Sequence, residues 1–383
     1  MTISKCWLMA SSAALTLAAA YPALAQDQGA AQPAAGATAA APENSTLIEE
    51  VVVTAEKRAQ NLQDVPVAVS AYSDKVRENV GIQNVQDLTN FTPGMQYTTA
   101  NDRVSLRGIS RFTNNRSSEG GVAIYIDGTY TSSTTPGNLS TLFIDRTEVL
   151  RGPQGTLYGR NSVGGAVNFI SKRPKDTFGG ELRVGAENYD YYSVEGAVTG
   201  PITDHLRYRF AGSWSDRARG YFKDINPNGS PTAPKDGYTE GNRGTQGVVE
   251  GQLAGDGFDG HLDWWLKAQF VNWEGYGRGP GGRNSYSTGV YETFPLVPTG
   301  LVPSPTFGYT GTRPANIDHR LIDIDSPNYI ALNYHNYIAE TTWHAPAFDI
   351  KYLGGYSFYD YNLQTDVDGT SRSQGYTLTP STV

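Results

Sequence analysis

The stretch Val149–Pro174, VLRGPQGTLYGRNSVGGAVNFISKRP, sets Gly152, Gly155, Gly159, Gly164 and Gly165 among scattered basic residues. Glycine-rich loops with nearby cations often cradle phosphates, so a nucleotide site is the first chemistry to weigh. A phosphate loop needs G-x-x-x-x-G-K-[ST], where the lysine supplies charge to the phosphates. No Gly-Lys pair occurs in the chain, and no G-x-G-x-x-G follows a strand and opens a helix. A nucleotide site is disfavoured on residues alone. Five histidines (His205, His261, His319, His335, His344) are dispersed without metal-ligand spacing, and no nucleophile stands beside a base. No catalytic residue, metal ligand or cofactor is assigned.

The leader explains the cysteine usage. Lys5 is the only charge in the first 25 residues, an Ala-rich apolar run follows, and Ala23-Leu24-Ala25 precedes Gln26. This predicts a secretory signal peptide over residues 1–25. Cys6, the only cysteine, lies within it. The mature chain would hold no disulfide, thiol nucleophile or thiolate metal site. No later stretch approaches the roughly 18 apolar residues that a spanning helix needs. An exported chain of this kind is soluble or crosses a membrane as a β-barrel. A net charge of -8 argues against nucleic acid as a partner.

The elements follow from local patterns. Residues 26–48 are rich in Ala, Gln, Pro and Gly and read as a flexible linker. The segment 49–58 holds Val51-Val52-Val53-Thr54, strongly β-prone, with charge after it and neither turn nor partner strand in sight. It reads equally as an ordinary first strand or as an extended peptide that adds to another protein's sheet. Residues 59–175 read as a compact α+β domain. Ser73 caps a helix ending at Gly81, and Asn84 caps a second with Val85 and Leu88 on one face. RVSLRGI, VAIYIDGTY, TEVLRG and GAVNFISKR read as strands, the second apolar on both faces and hence buried.

Composition changes near Phe178. Eighteen of the 24 tyrosines lie beyond it, on long strands of period two. Leu206, Tyr208, Phe210, Trp264, Leu266, Phe348 and Tyr352 are expected to face outward, and Arg207, Arg209, Asp263 and Lys351 inward. About seven such strands alternate short with long connections. The Tyr329–His344 strand alternates least cleanly, the mark of a bulge. One aromatic-rich face with short turns at one end and long loops at the other describes an outer-membrane barrel.

Together, EEVVVTA, SLRGI, YIDGTY, EVLRGPQGTLYGRNSVGGAVNFI and the barrel strands resemble a TonB-dependent outer-membrane receptor. The resemblance implies an α+β plug inside an antiparallel transmembrane β-barrel, residues 176–383 being its N-terminal part, about seven strands of an expected 22. A plug packed against a wall uses glycine for close approach, with Gly164-Gly165 the best case. The resemblance makes Glu50, Val51, Val52, Val53, Thr54 and Ala55 the TonB box, which pairs as a strand with periplasmic TonB. It makes Arg107 and Arg151 partners of barrel-wall glutamates, expected beyond residue 383. It makes Arg111, Phe112, Asn114, Asn115, Arg116, Tyr130 and Thr131 ligand-facing plug residues. Partners are then TonB, outer-membrane lipid and a bulky scarce solute, most often a ferric siderophore. A glycan, an aromatic compound or cobalamin is the alternative ligand, and a passive porin the alternative class. An exported enzyme is a third.

Overall fold

The computed structural model describes residues 52–54, 57–58, 60–98, 103–111, 120–224, 240–241, 243–276, 321–322, 329–365, 376–377 and 381–382. The chain divides into two units, residues 1–48 and 49–383, and the described residues all belong to the second.

The plug begins with β1 (Val52–Val53) and β2 (Gln60–Asn61), paired antiparallel as a two-stranded sheet. The segment read as lacking a partner strand therefore has one. Next come β3 (Val69–Ser73), α1 (Asp74–Val80), α2 (Val85–Phe91), β4 (Met95–Thr98) and β5 (Arg103–Leu106). Ser73 Oγ accepts from Val76 N, and Gly81 closes α1 at φ 77°. Asn84 and Asp87 form a reciprocal capping box on α2. Both caps stand where the sequence puts them.

The remaining plug elements are β6 (Val122–Ile126), β7 (Thr129–Thr131), β8 (Ile144–Arg151), α3 (Gly155–Tyr158) and β9 (Gly165–Ser171). VAIYIDGTY is not one strand. Asp127 and Gly128 take φ 50° and 81° and turn it into the β6–β7 hairpin. Two successive left-handed residues match the twist of a tight hairpin, and Asp-Gly is the usual pair for it. The five-stranded plug sheet runs β3-β8-β9-β6-β7, with β6 and β9 parallel. Gly165 sits at φ 142°, where a Cβ would overlap the Leu150 carbonyl oxygen and lie 2.8 Å from Leu106 Cδ1. At Gly164 a Cβ would meet Ile109 Cβ at 2.9 Å. The approach is close at both positions, but to Leu106, Ile109, Gly121 and Leu150 of the plug itself and not to the wall.

The wall is a meander in sequence order: β10 (Gly179–Glu187), β11 (Tyr191–Thr203), β12 (Leu206–Arg217), β15 (Arg243–Gly257), β16 (Leu262–Tyr276), β18 (Tyr329–His344) and β19 (Asp349–Thr365). Two-residue strands β20 (Tyr376–Thr377) and β21 (Ser381–Thr382) touch the outer edge of β19. β13 (Phe222–Asp224), β14 (Glu240–Gly241) and β17 (Leu321–Ile322) form a separate patch. The register of β18 is unbroken on both sides, so the bulge expected there is absent. The register shifts instead between Pro201 and Thr203. Pro201 lacks the N–H that the ladder needs, which is why the strand slips at that point.

The faces alternate along the middle of the strands, while Asp263 and Lys351, expected inward, are exposed and Leu206, Tyr208 and Trp264, expected outward, are half-buried. Phe210, Leu266, Phe348 and Tyr352 are exposed on the outer side. Arg209, Lys267, Gln269 and Asn336 are buried on the inner side, against the plug. Plug and inner wall share one apolar cluster that includes Leu88, Phe143, Val167, Ala211, Val271 and Tyr334. Burying a side chain such as Phe143 or Leu88 stabilises by about 1.5–3 kcal/mol, so the plug is seated largely by apolar contact.

Candidate functional site

The two faces of the plug sheet have different partners. Val122, Ile124, Val149 and Val167 point to the side that carries α1 and α2. Ala123, Tyr125, Leu150 and Ala166, one residue out of phase, point to the opposite side and cover Val53. Val53 is fully buried there. Thr54 fastens the same segment, its backbone N–H donating to Glu148 Oε1 at 2.8 Å and its hydroxyl lying 3.1 Å from both carboxylate oxygens. Of the proposed box residues, Val52, Val53 and Thr54 are thus docked on the plug, while Glu50, Val51 and Ala55 lie outside the described residues.

A cavity of about 980 Å³ lies on the α1–α2 side. Its plug floor includes Arg77, Glu78, Tyr97, Thr134, Thr135 and Thr141, and its wall Arg183, Tyr191, Arg217, Trp273, Tyr359 and Tyr361. Arg217 and Arg243 stand where a long connection leaves the strands, and Glu187 and Tyr191 flank the short β10–β11 turn at the same end, so the cavity lies toward that end. The docked Val52–Thr54 segment is on the other side of the sheet. Lys57, just after it, feels repulsion from Lys351 near the short-turn end.

The cavity's cations are held in place. Arg183 bridges Glu78 at 2.6 Å and Glu181 at 2.5 Å. The Thr141 hydroxyl donates to Glu78 and, with Arg183, holds that carboxyl below its ordinary range against the opposing effect of burial. Arg217 lies over the rings of Tyr191 and Tyr221 at 5.0 and 4.7 Å. Arg77 is buried and donates from Nη2 to the Leu139 carbonyl at 3.2 Å.

The sequence-assigned ligand residues divide. Phe112, Asn114, Asn115 and Arg116 lie outside the described residues. Arg111 is buried, and its carbonyl accepts from Arg103 Nη1 at 3.4 Å. Tyr130 does not line the cavity. Its ring packs edge-on against Tyr125 on the Val53 side, and its hydroxyl accepts from Asn161 Nδ2 at 2.9 Å. Thr131 is buried, with Oγ1 accepting from Ser133 N. The β6–β7 hairpin turns the chain back, so Thr134 and Thr135, not Tyr130 and Thr131, reach the cavity.

Arg107, at φ 51°, runs across Gly94 toward Gly152, where a Cβ would stand 3.4 Å from Arg107 Nη1. Gly152 adjoins Arg151, whose Nε is buried without a partner. Arg107 Nη1 thus lies beside the backbone that follows Arg151. Among the described residues neither has a carboxylate partner.

Sequence reasoning missed a buried polar cluster between plug and wall. Lys267 Nζ of β16 lies 3.1 Å from Asp127 Oδ2 of the plug turn and 3.4 Å from Glu250 Oε2 of β15, and all three side chains are fully buried. Nearby, Arg173 stacks 3.4 Å above the Trp265 ring and bridges Glu340, which also holds Lys351 at 3.0 Å. The inward period of Lys267 and Lys351 was the only available signal. His205 and His344 serve turn ion pairs, with Asp256 and with Asp263 and Asp349. Among the described residues no cluster could hold a metal ion.

Known proteins resemble this chain in sequence and fold. Residues 61–166 match the family model described as TonB-dependent Receptor Plug Domain. The chain is 28% identical over 171 residues to the ferripyoverdine receptor of Pseudomonas aeruginosa, covering 43% of this chain and 20% of that protein. It is 31% identical over 168 residues to the pesticin receptor of Yersinia pestis, covering 41% and 24%. With the ferrioxamine B receptor of Salmonella typhimurium it shares 31% over 180 residues, 43% and 25%. The chain thus spans about a quarter of the length of these relatives. Among solved structures, the ferric yersiniabactin uptake receptor FyuA of Yersinia pestis superposes with TM-score 0.58 at 18% identity, over 78% of this chain and 42% of that one. The ferric-catecholate import receptor Fiu of E. coli gives 0.56 at 18%, over 80% and 40%. These two likenesses are of fold.

Proposed function

The chain carries the plug domain and the first barrel strands of a TonB-dependent outer-membrane receptor, and from that premise we propose that the whole protein imports a bulky, scarce solute, a ferric siderophore, using energy delivered through TonB. The observation that carries this reading is the division of the plug sheet. One face floors a cavity toward the end where Arg217 and Arg243 stand. The opposite face holds a short extended segment, Val52–Thr54, ready to be drawn away. A diffusion pore needs neither. Arg77, Arg183, Arg217 and the aromatic wall suit an anionic, ring-bearing chelate, since guanidinium groups pair with oxyanions and stack on rings. Relatives named for ferripyoverdine and ferrioxamine B support a ferric siderophore, without favouring one charge. A second reading, a glycan, is favoured by the stacked Tyr359 and Tyr361 rings, 5.9 Å apart and nearly parallel.

The reading joins to its test at Val52. Proline there removes a backbone donor and fixes φ, which blocks strand addition. In the full-length receptor, Val52→Pro should leave binding of the ferric chelate intact and abolish its uptake by cells. A panel of ferric chelates and oligosaccharides, scored for binding and for growth under limitation, identifies the ligand. Normal uptake by Val52→Pro would rule out energy coupling through this segment.

A further inference from the structure

The Asp127–Gly128 turn is gripped from two directions. Asp127 turns its carboxylate away from water. It accepts from Ser171 N and Ser171 Oγ, each at 2.8 Å, and from Lys267 Nζ at 3.1 Å. Lys267 also donates to Ser171 Oγ at 2.5 Å. Glu250, the second carboxylate on Lys267, accepts from Gln252 and Gln269. The wall thus holds the turn by a buried cation bonded to Asp127 and Ser171 and flanked by Glu250. On the other side, the Gly128 carbonyl accepts from Lys57 Nζ at 3.4 Å. That ammonium lies 5.1 Å above the Tyr125 ring and 4.7 Å above the Tyr158 ring. Lys57 follows the docked Thr54 by three residues, and its backbone N–H donates to the Thr54 carbonyl at 2.9 Å.

We propose that this turn is a coupling element of the transport step: Lys267 anchors it to the barrel wall, Lys57 ties it to the Val52–Thr54 segment, and traction on that segment, once it leaves β2 and Glu148, passes to this turn. The proposal rests on the energised-import reading. Its physical basis is the difference between contact types. Apolar packing is non-directional and yields gradually. A buried ion pair is directional, and separating it leaves an uncompensated charge in a dry site. Force carried through Lys57 loads Asp127–Lys267 for as long as the Lys57 contacts with the Gly128 carbonyl and the Tyr125 and Tyr158 rings hold, and release of the ion pair frees the β6–β7 hairpin from β16 and β19.

A disulfide tests whether the turn must leave the wall. A Cβ built on Gly355 lies 2.9 Å from Thr129 Cβ, within disulfide reach after a small backbone shift. Cys6 is the only cysteine in these 383 residues. In the full-length receptor, Thr129→Cys with Gly355→Cys should bind a ferric chelate equally in both redox states. It should import it only after reduction. Equal uptake with the disulfide closed and open overturns the proposal. Lys57→Gln tests the tie. It should slow uptake several-fold with binding unchanged, and an unaltered rate overturns that half. A protonophore applied to the unmodified receptor separates the two levels: uptake that survives it brings down the import reading, and this proposal with it.

Discussion

Lys267 is the residue on which plug and wall most depend electrostatically. Its single positive charge is shared between two carboxylates that have no access to solvent. Lys267→Met leaves both uncompensated and should cost about 3–5 kcal/mol. Adding Asp127→Asn and Glu250→Gln should recover most of that loss, because removing every charge together spares the desolvation penalty. Urea unfolding of the full-length receptor and its variants measures both outcomes. The pH dependence has a definite sign. Burial opposes ionisation of Asp127, but Lys267, Arg173 and the Ser171 hydrogen bonds outweigh it and hold the carboxyl below its ordinary range. The unfolded chain then takes up this proton first, near pH 3.9. The stabilisation is complete above that value and is lost as pH falls through the depressed native one. In Lys267→Met, burial without that cation raises the Asp127 carboxyl, so the native variant takes up a proton before the unfolded chain does, and the penalty should shrink as pH falls from about 8 toward 5.

At the scale of the element, the Val52–Thr54 strand is held by few contacts: a two-residue pairing with β2, the burial of Val53 and the Glu148 carboxylate. Glu148 also accepts from Arg146 Nε at 2.9 Å. Glu148→Gln keeps the shape and removes the charge. A charge-assisted hydrogen bond is about twice as strong as a neutral one, so the segment should detach more often. Limited proteolysis of the full-length receptor should then cut around residues 50–58 faster than in the parent, and an unchanged rate would show that Glu148 is not the fastening. The helices α1 and α2 were legible in the sequence because Ser73, Gly81, Asn84 and Asp87 are local signals. The pairing of β1 was not, since its partner Gln60–Asn61 carries no β propensity and the burial of Val53 depends on residues near 125 and 150. The β6–β7 turn was written in Asp127-Gly128, but the apolar run before it masked the reversal.

For the whole molecule, period two fixed which face of each wall strand looks outward, and the structure keeps that assignment for Phe210, Leu266, Phe348 and Tyr352. What period two could not supply was the inner partners. Lys267 and Asp127 are 140 residues apart, and only the closed packing of plug on wall brings them together. The outward face leads to a further expectation. Phe210 lies within β12 and is 52% exposed, while its neighbours Arg209 and Ala211 are buried against the plug. If that exposure is to lipid, arginine at 210 must place its charge in hydrocarbon. Such a charge costs about 2–4 kcal/mol near the midplane and little near the interfaces. Phe210→Arg should lower the yield of folded full-length receptor in outer membranes, read as the heat-shifted band on electrophoresis. Phe210→Leu, which keeps the face apolar, should leave that band unchanged. Equal folded yield from Phe210→Arg would show that position 210 does not lie in the hydrocarbon midplane.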